Sequence, residues 1–399
     1  MAPEHGLRTG RWKVALLRIA AMLLVPAALW SAPEPIVSPA PMGPYRVGTL
    51  SLQLVDAARS DPFAHDGSRR TLLVRFWYPT VPAQGCTPAE YSSPKVWAYL
   101  STLTGVPAFP VSTNSCWQAP PALGTHPVII ATHGYTGTAT DYTFIFEDLA
   151  SRGYVVASVA HTYEATAVEF SDGRLITSVF GSHFVAESLR TDEQSLAFAR
   201  SVRLRDLGFV IRELGKINSA SGSPFYQRFD LGRMGILGHS LGGEAALASM
   251  EQQSALKAGA LLDAVISPAS SRGTDKPILI LAEGRQSWGE LECTLWNNLR
   301  GPRLAVNFEG AEHLTPSDAI WLGAYLPSLR VKPGSIGPAQ TITAVRRYLA
   351  AFFDTYLSGK PRSSLLNGVS ADYANAVVTT SRQSMCTPVE TGPQQGNTF

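Results

Sequence analysis

Six short apolar segments predict an α/β domain with a mostly parallel central sheet and helices on both faces. They are "PVIIATHG" (127–134), "GYVVASVAH" (153–161), "RMGILGHS" (233–240), "AGALLDAVIS" (258–267), "KPILILAEG" (276–284) and "PRLAVNFEG" (302–310). Most are separated by stretches of helical length. Uniformly apolar strands alternating with helices belong to a sheet buried on both faces. Ahead of them, "VGTLSLQLVD" (47–56) and "RTLLVRFWYP" (70–79) are β-rich and close together, the pattern of an opening antiparallel pair. Composition agrees, since 45% hydrophobic and 16% charged residues over 399 support one large core.

The remaining segments follow in order. Arg8, Arg11, Lys13 and Arg18 precede or interrupt an apolar stretch from Val14 to Trp30, followed by Ser31-Ala32. Its uninterrupted part, Ile19 to Trp30, is short for a membrane span. Residues 1–32 therefore read as a signal peptide, with an uncleaved anchor as the alternative because Trp30 stands where a small residue is preferred. The Pro-rich run 33–45 reads as a linker, 46–386 as a single domain and 387–399 as a flexible tail. Residues 80–125 lose periodicity and read as an insertion. "DYTFIFEDLASRG" (141–153) reads as a helix stopped at Gly153, and Ile342, Val345, Leu349, Phe352 and Tyr356 mark a closing amphipathic helix.

Export puts Cys86, Cys116, Cys293 and Cys386 in an oxidising compartment, where four cysteines allow three connectivities. Cys86–Cys116 and Cys293–Cys386 are preferred, because each ties down a loop-like or terminal segment. No pair has zinc spacing, so no metal and no cofactor is expected. A net charge of +2 without clustered Lys and Arg outside the N-terminus excludes a broad nucleic-acid footprint.

The chemistry is concentrated in "GILGHSLGGEAAL" (235–247). The pattern G-x-S-x-G is weak alone, arising by chance about 0.2 times in a chain of this composition. Here a buried strand precedes it and helix formers follow. A strand-to-helix elbow strains Ser240 and needs Gly238 and Gly242, since side chains there would strike the facing elements. A nucleophilic serine needs a base, and the base an orienting acid. His313, in "FEGAEHLTPSD", is the sole histidine of eight that lies beyond Ser240. The acid is Asp263, after the next strand, or Glu283, one strand later; residue chemistry favours Asp263, whose apolar neighbours make an unpaired carboxylate costly. The backbone N–H groups of Leu241 and Tyr135 are the expected oxyanion donors. His133 and His161 are read as structural residues at strand ends.

Several segments together resemble the platelet-activating factor acetylhydrolase family of α/β-hydrolases. They are "RFWYP", "PVIIATHGYTGTATDYTFIFEDLASRGYVVASVAH", "FDLGRMGILGHSLGGEAAL", "ALLDAVISP", "PILILAEGRQ" and the His313 loop, within about residues 48–357. The resemblance implies the α/β-hydrolase fold, Ser240 as nucleophile, Asp263 as acid, His313 as base, and Tyr135 and Leu241 as oxyanion donors. It implies hydrolysis of short or oxidised acyl chains on phospholipid or lipid-like esters. A broad secreted esterase or lipase, or a cutinase-like polyester hydrolase taking its acid at Glu283, is the alternative. A binding protein that kept the scaffold without turnover is the reading from another class. The partners expected are a small-molecule or lipid ester and a lipid surface, contacted through Trp97, Tyr99, Trp117, Tyr135 and Trp288 if core burial does not claim them. Oligomeric state is not legible.

Overall fold

The computed structural model describes residues 36–386 except 65, 82–84, 107–110, 184, 186–187, 285–287, 326–334, 336, 369–372, 374–375 and 381–385. The expected signal peptide (1–32), the start of the linker (33–35) and the tail (387–399) lie outside the described residues.

Strands Ile36–Val37 (β1), Arg46–Ser60 (β2), Arg69–Thr80 (β3) and Pro88–Glu90 (β4) lead to helix Pro94–Thr104 (α1). Val111–Trp117 (β5), His126–Thr132 (β6), helix Thr143–Ser151 (α2) and Val155–Ala160 (β7) follow. A small hairpin, Ala167–Glu169 (β8) and Leu175–Thr177 (β9), precedes the long helix Glu193–Ser219 (α3). Then come Phe229–His239 (β10), helix Leu241–Gln252 (α4), Leu256–Leu262 (β11) and Ile278–Ala282 (β12). The chain closes with helix Glu290–Asn298 (α5), Arg303–Phe308 (β13), the short helix Ala319–Leu322 (α6), helix Pro338–Tyr356 (α7) and Ala376–Thr379 (β14).

Among the described residues, one sheet runs β1-β5-β2-β3-β7-β6-β10-β11-β12-β13-β14, with β4 beside β5. The stretch from β7 to β13 is parallel, and β2–β3, β3–β7 and β13–β14 are antiparallel. This is the α/β-hydrolase architecture. Alternation along β6 shows why both faces are covered. Val128 and Ile130 join one core with α3, α4 and α5, while Ile129 and Ala131 join the other with α2 and α7. The central strands such as β6, β7 and β12 are largely apolar because they have no solvent face.

Two expectations need correction. The 80–125 region is not a loop-like insertion: it supplies α1, and its strand β5 pairs with β1, β2 and β4. Residues 36–45 are not a free linker. Ser38 Oγ donates to Glu147, Met42 N to Asp148 and Gly43 N to Ser151, while the Arg346 guanidinium donates to the carbonyls of Pro39 and Ala40. Prolines offer no N–H, so the strap is held through its carbonyls and the few amides it retains. Cys86 joins Cys116 and Cys293 joins Cys386.

Candidate active site

One residue turns the chain between β10 and α4. Ser240 has φ 54° and ψ −124°, a region that side-chain-bearing residues rarely visit. The turn is pinned by Ser240 N donating to Leu262 O at 3.0 Å and Val265 N donating to Ser240 O at 3.2 Å. A Cβ on Gly238 would overlap the backbone of Gly242 and Gly243, and one on Gly242 the carbonyls of Thr132 and His133. Both glycines are therefore required by close approach, as the sequence pattern implies. The hydroxyl stands at the carboxyl edge of the sheet, at a helix N-terminus where developing negative charge is favoured.

The structure brings Ser240, His313 and Asp263 together. The Ser240 hydroxyl donates to His313 Nε2 at 2.9 Å, and His313 Nδ1–H donates to Asp263 Oδ2 at 2.5 Å. His313 hangs from the loop after β13. Asp263 directly follows β11 at φ 39°, a conformation an Asp tolerates better than most residues, and its N–H is fixed on Leu281 O. The Asp263 side chain is 5% exposed and that of His313 is 44%, so the carboxylate is sheltered and the imidazole is open to the site. Glu283 follows β12 and lies close by. Its N–H donates to Asp263 Oδ1 at 3.2 Å, and its carboxylate stands within 4.8 Å of both partners. Asp263 takes the imidazole hydrogen bond.

Leu241 is the first residue of α4, so its N–H has no acceptor within the helix. Tyr135 is fixed from both sides. Arg203, fully buried on α3, donates to the carbonyls of His133 and Gly134 and to Thr132 Oγ1, and forms a two-point ion pair with Glu164. Glu164 in turn accepts the N–H of Thr136 at 3.1 Å. Sequence reading missed this clamp, because its members lie 39 and about 70 residues apart and no local pattern links them. His161 donates and accepts between Asp206 and Thr132, and its ring packs edge-on against His133, which are structural roles.

A cavity of about 560 Å³ opens beside Ser240 and His313. Trp97, Leu100 and Val106 from the α1 region form one wall, and Leu314 and Leu322 another. Tyr142, Asp141 and Asp318 also line it. Asp318 caps α2 from a distance, accepting the N–H of Thr143 at 2.7 Å and of Phe144 at 3.1 Å. Burial pushes its carboxyl up to about 7 even against these donors. Of the five expected aromatics, Trp97 and Tyr135 line the cavity. Trp288 is in the core against Trp296, and Trp117 lies elsewhere at 40% exposed, near Arg75, so no common aromatic surface forms.

A solved ferulic acid esterase from Streptomyces cinnamoneus superposes with a TM-score of 0.73 at 30% identity, covering 86% of this chain and 99% of that one. A probable 1-alkyl-2-acetylglycerophosphocholine esterase of Arthroderma benhamiae is 24% identical over 89% of this chain and 97% of its own. The platelet-activating factor acetylhydrolase of Cavia porcellus is 27% identical over 38% of each chain. The family model for platelet-activating factor acetylhydrolase, isoform II, matches residues 34–173. Over residues 34–173 the chain resembles the platelet-activating factor acetylhydrolase family. It is a carboxylic ester hydrolase.

Three buried histidines tie stability to pH. Burial holds His133 and His161 below the usual imidazole range and takes His239 down to about 3. Each folded-state value lies below the unfolded value near 6.5, so the unfolded chain takes up protons first as pH falls. Their contribution is complete above about pH 6.5 and shrinks below it. Asp318 works in the opposite sense, losing its contribution as pH rises through about 7. The urea midpoint should fall from pH 7 to pH 5 less steeply in His239→Gln than in the wild type. One silent histidine accounts for about 2 kcal/mol over that window. Equal slopes would show that His239 is not held neutral.

Proposed function

We propose that this chain is an exported serine hydrolase of lipid-like carboxylic esters that works through an acyl-enzyme. Ser240 Oγ attacks the acyl carbon as His313 Nε2 takes its proton. Asp263 holds the resulting imidazolium through Nδ1, and the N–H groups of Tyr135 and Leu241 receive the oxyanion. The imidazolium then returns the proton to the leaving alcohol, and water repeats the sequence to free the acid. The observation that carries this reading is the continuous relay from Ser240 through His313 to Asp263 at the mouth of an apolar cavity.

The relatives named for 1-alkyl-2-acetylglycerophosphocholine and for platelet-activating factor support a phospholipid with a short acyl chain as substrate. The cavity lies within the range of about 300–1,000 Å³ typical of sites for drug-sized ligands, so it suits more than an acetyl group. A second reading, esters of aromatic acids, is favoured by the ferulic acid esterase likeness and by the rings of Trp97 and Tyr142 on the cavity wall. Two disulfides support an oxidising compartment, and residues 1–32 would be the export leader. None of the helices among the described residues is long and apolar enough to cross a membrane.

A fluorophosphonate probe should label the wild type covalently and leave Ser240→Ala unlabelled. Folded wild type that takes no label would favour a binding protein on a hydrolase scaffold. A panel of short-chain phospholipids, simple esters of rising chain length, a hydroxycinnamate ester and a polyester film then ranks the substrates. The phospholipids should give the highest kcat/KM; a higher value for the hydroxycinnamate ester would select the second reading, and polymer erosion the cutinase-like one.

A further inference from the structure

His239 ends β10 directly before Ser240, and nothing above gives it a part in the reaction. Its residue is 3% exposed, and its ring lies 4.5 Å from that of His313, centroid to centroid, inclined by 39°. Its Nε2 is 2.7 Å from the main-chain carbonyl oxygen of His313. A carbonyl only accepts, so Nε2 carries the hydrogen and Nδ1 is bare. That bare Nδ1 is buried without a partner, close beside Gly134, where a Cβ would come within 2.8 Å of it. Buried polar atoms left unpaired are rare, and one at a site is a mark of something the ring must do elsewhere.

We propose that His239 is a positioning residue for the proton relay, tying down the main chain of His313 through Nε2–H and backing its imidazole with an uncharged ring. The inference rests on the proposed reaction. Asp263 holds the His313 ring at Nδ1, while the contact of Nε2 with the Ser240 hydroxyl is given up as the proton moves, and a ring then held at one point pivots. The bond from His239 supplies the second point, on the backbone from which that ring hangs. The loop is also tied to distant segments on either side of His313, by Gly284 N donating to Ala311 O and Asp318 N donating to Asp141 O, while the bonds of Thr315 N to Glu312 O and Glu312 N to Thr315 Oγ1 stay within it.

Charge completes the case. The groups facing His239 are His313, Asp263 after β11, His183 from the segment after β9, and Tyr142 at the start of α2, whose ring centroid is 5.5 Å away. Burial, reinforced by His313, keeps the His239 imidazole uncharged at working pH. An uncharged ring face accommodates the imidazolium that forms on His313 during each half-reaction, whereas a second cation there would oppose it.

Three full-length variants, assayed on a soluble chromogenic ester, separate positioning from mere packing. His239→Leu removes ring and donor, His239→Phe keeps a ring without the donor, and His239→Gln restores an N–H donor. The Leu and Phe variants should lose about 10²-fold in kcat, the scale of a small misplacement of a catalytic group, with KM nearly unchanged. Gln should recover kcat to within about tenfold of wild type. Packing alone would shift the melting temperature and leave the kcat of folded enzyme intact. Equal kcat for the Phe and Gln variants overturns the proposal, even where Leu fails to fold. Fluorophosphonate labelling keeps the two ideas apart. Ser240-dependent labelling with unaffected His239 variants sinks the positioning role alone, whereas absence of labelling in folded wild type sinks the reaction it serves.

Discussion

Asp263→Asn should lower kcat by about 10⁴-fold, the cost of removing the acid from such a relay. Glu283→Gln should lower it no more than about fivefold, since a partly exposed neighbouring charge contributes about 1 kcal/mol. The difference follows from geometry. Asp263 Oδ2 accepts the Nδ1 hydrogen of His313 at 2.5 Å, whereas Glu283 addresses Asp263 through its backbone N–H. An asparagine at 263 would offer the imidazole an amide and favour the wrong tautomer, leaving Ser240 without a base. Steady-state rates on one ester decide the matter. A larger loss in Glu283→Gln would transfer the acid to the later strand and draw the chain toward the cutinase-like alternative.

That ambiguity shows where sequence stops being informative. The six core strands are legible because a strand buried on both faces must be apolar at every position. The elbow is legible because two close approaches demand glycine, and the base because a single histidine follows the serine. Both carboxylates end neighbouring parallel strands, so chain order alone places each of them near the site. Only the local backbone, with Asp263 turned to φ 39°, separates them.

The poorly read segments share a physical cause, polar residues at buried positions. Strand β5 reads "VSTNSCW" because Ser115 and Asn114 donate to Glu147 of α2, which hides the apolar alternation. Helix α1 has one buried residue, Val96, because much of its apolar side faces the cavity rather than the core. In α3, Arg203 and Asp206 occupy core positions, so a 27-residue helix shows no clean stripe. Partners for these groups come from distant parts of the chain, and a single sequence carries no trace of them.

Arg203→Met should both destabilise the fold and slow the reaction. The Arg203 side chain is fully buried and that of Glu164 2% exposed, so removing one partner strands the other in the interior at a cost of about 3–5 kcal/mol. The same change releases the carbonyls of His133 and Gly134, and the Tyr135 N–H between Gly134 and Thr136 loses its fixed direction. Losing one oxyanion donor costs about 10²–10³ in kcat. Glu164→Gln is the gentler probe, because the amide oxygen still accepts the Thr136 N–H while the charge is gone; its kcat should fall less, with KM held. Urea unfolding separates the two effects, and rates are compared at denaturant-free conditions where each variant is folded. A folded Arg203→Met enzyme with wild-type kcat would show that the loop finds its geometry without the clamp. The second oxyanion donor would then have to be sought outside Tyr135.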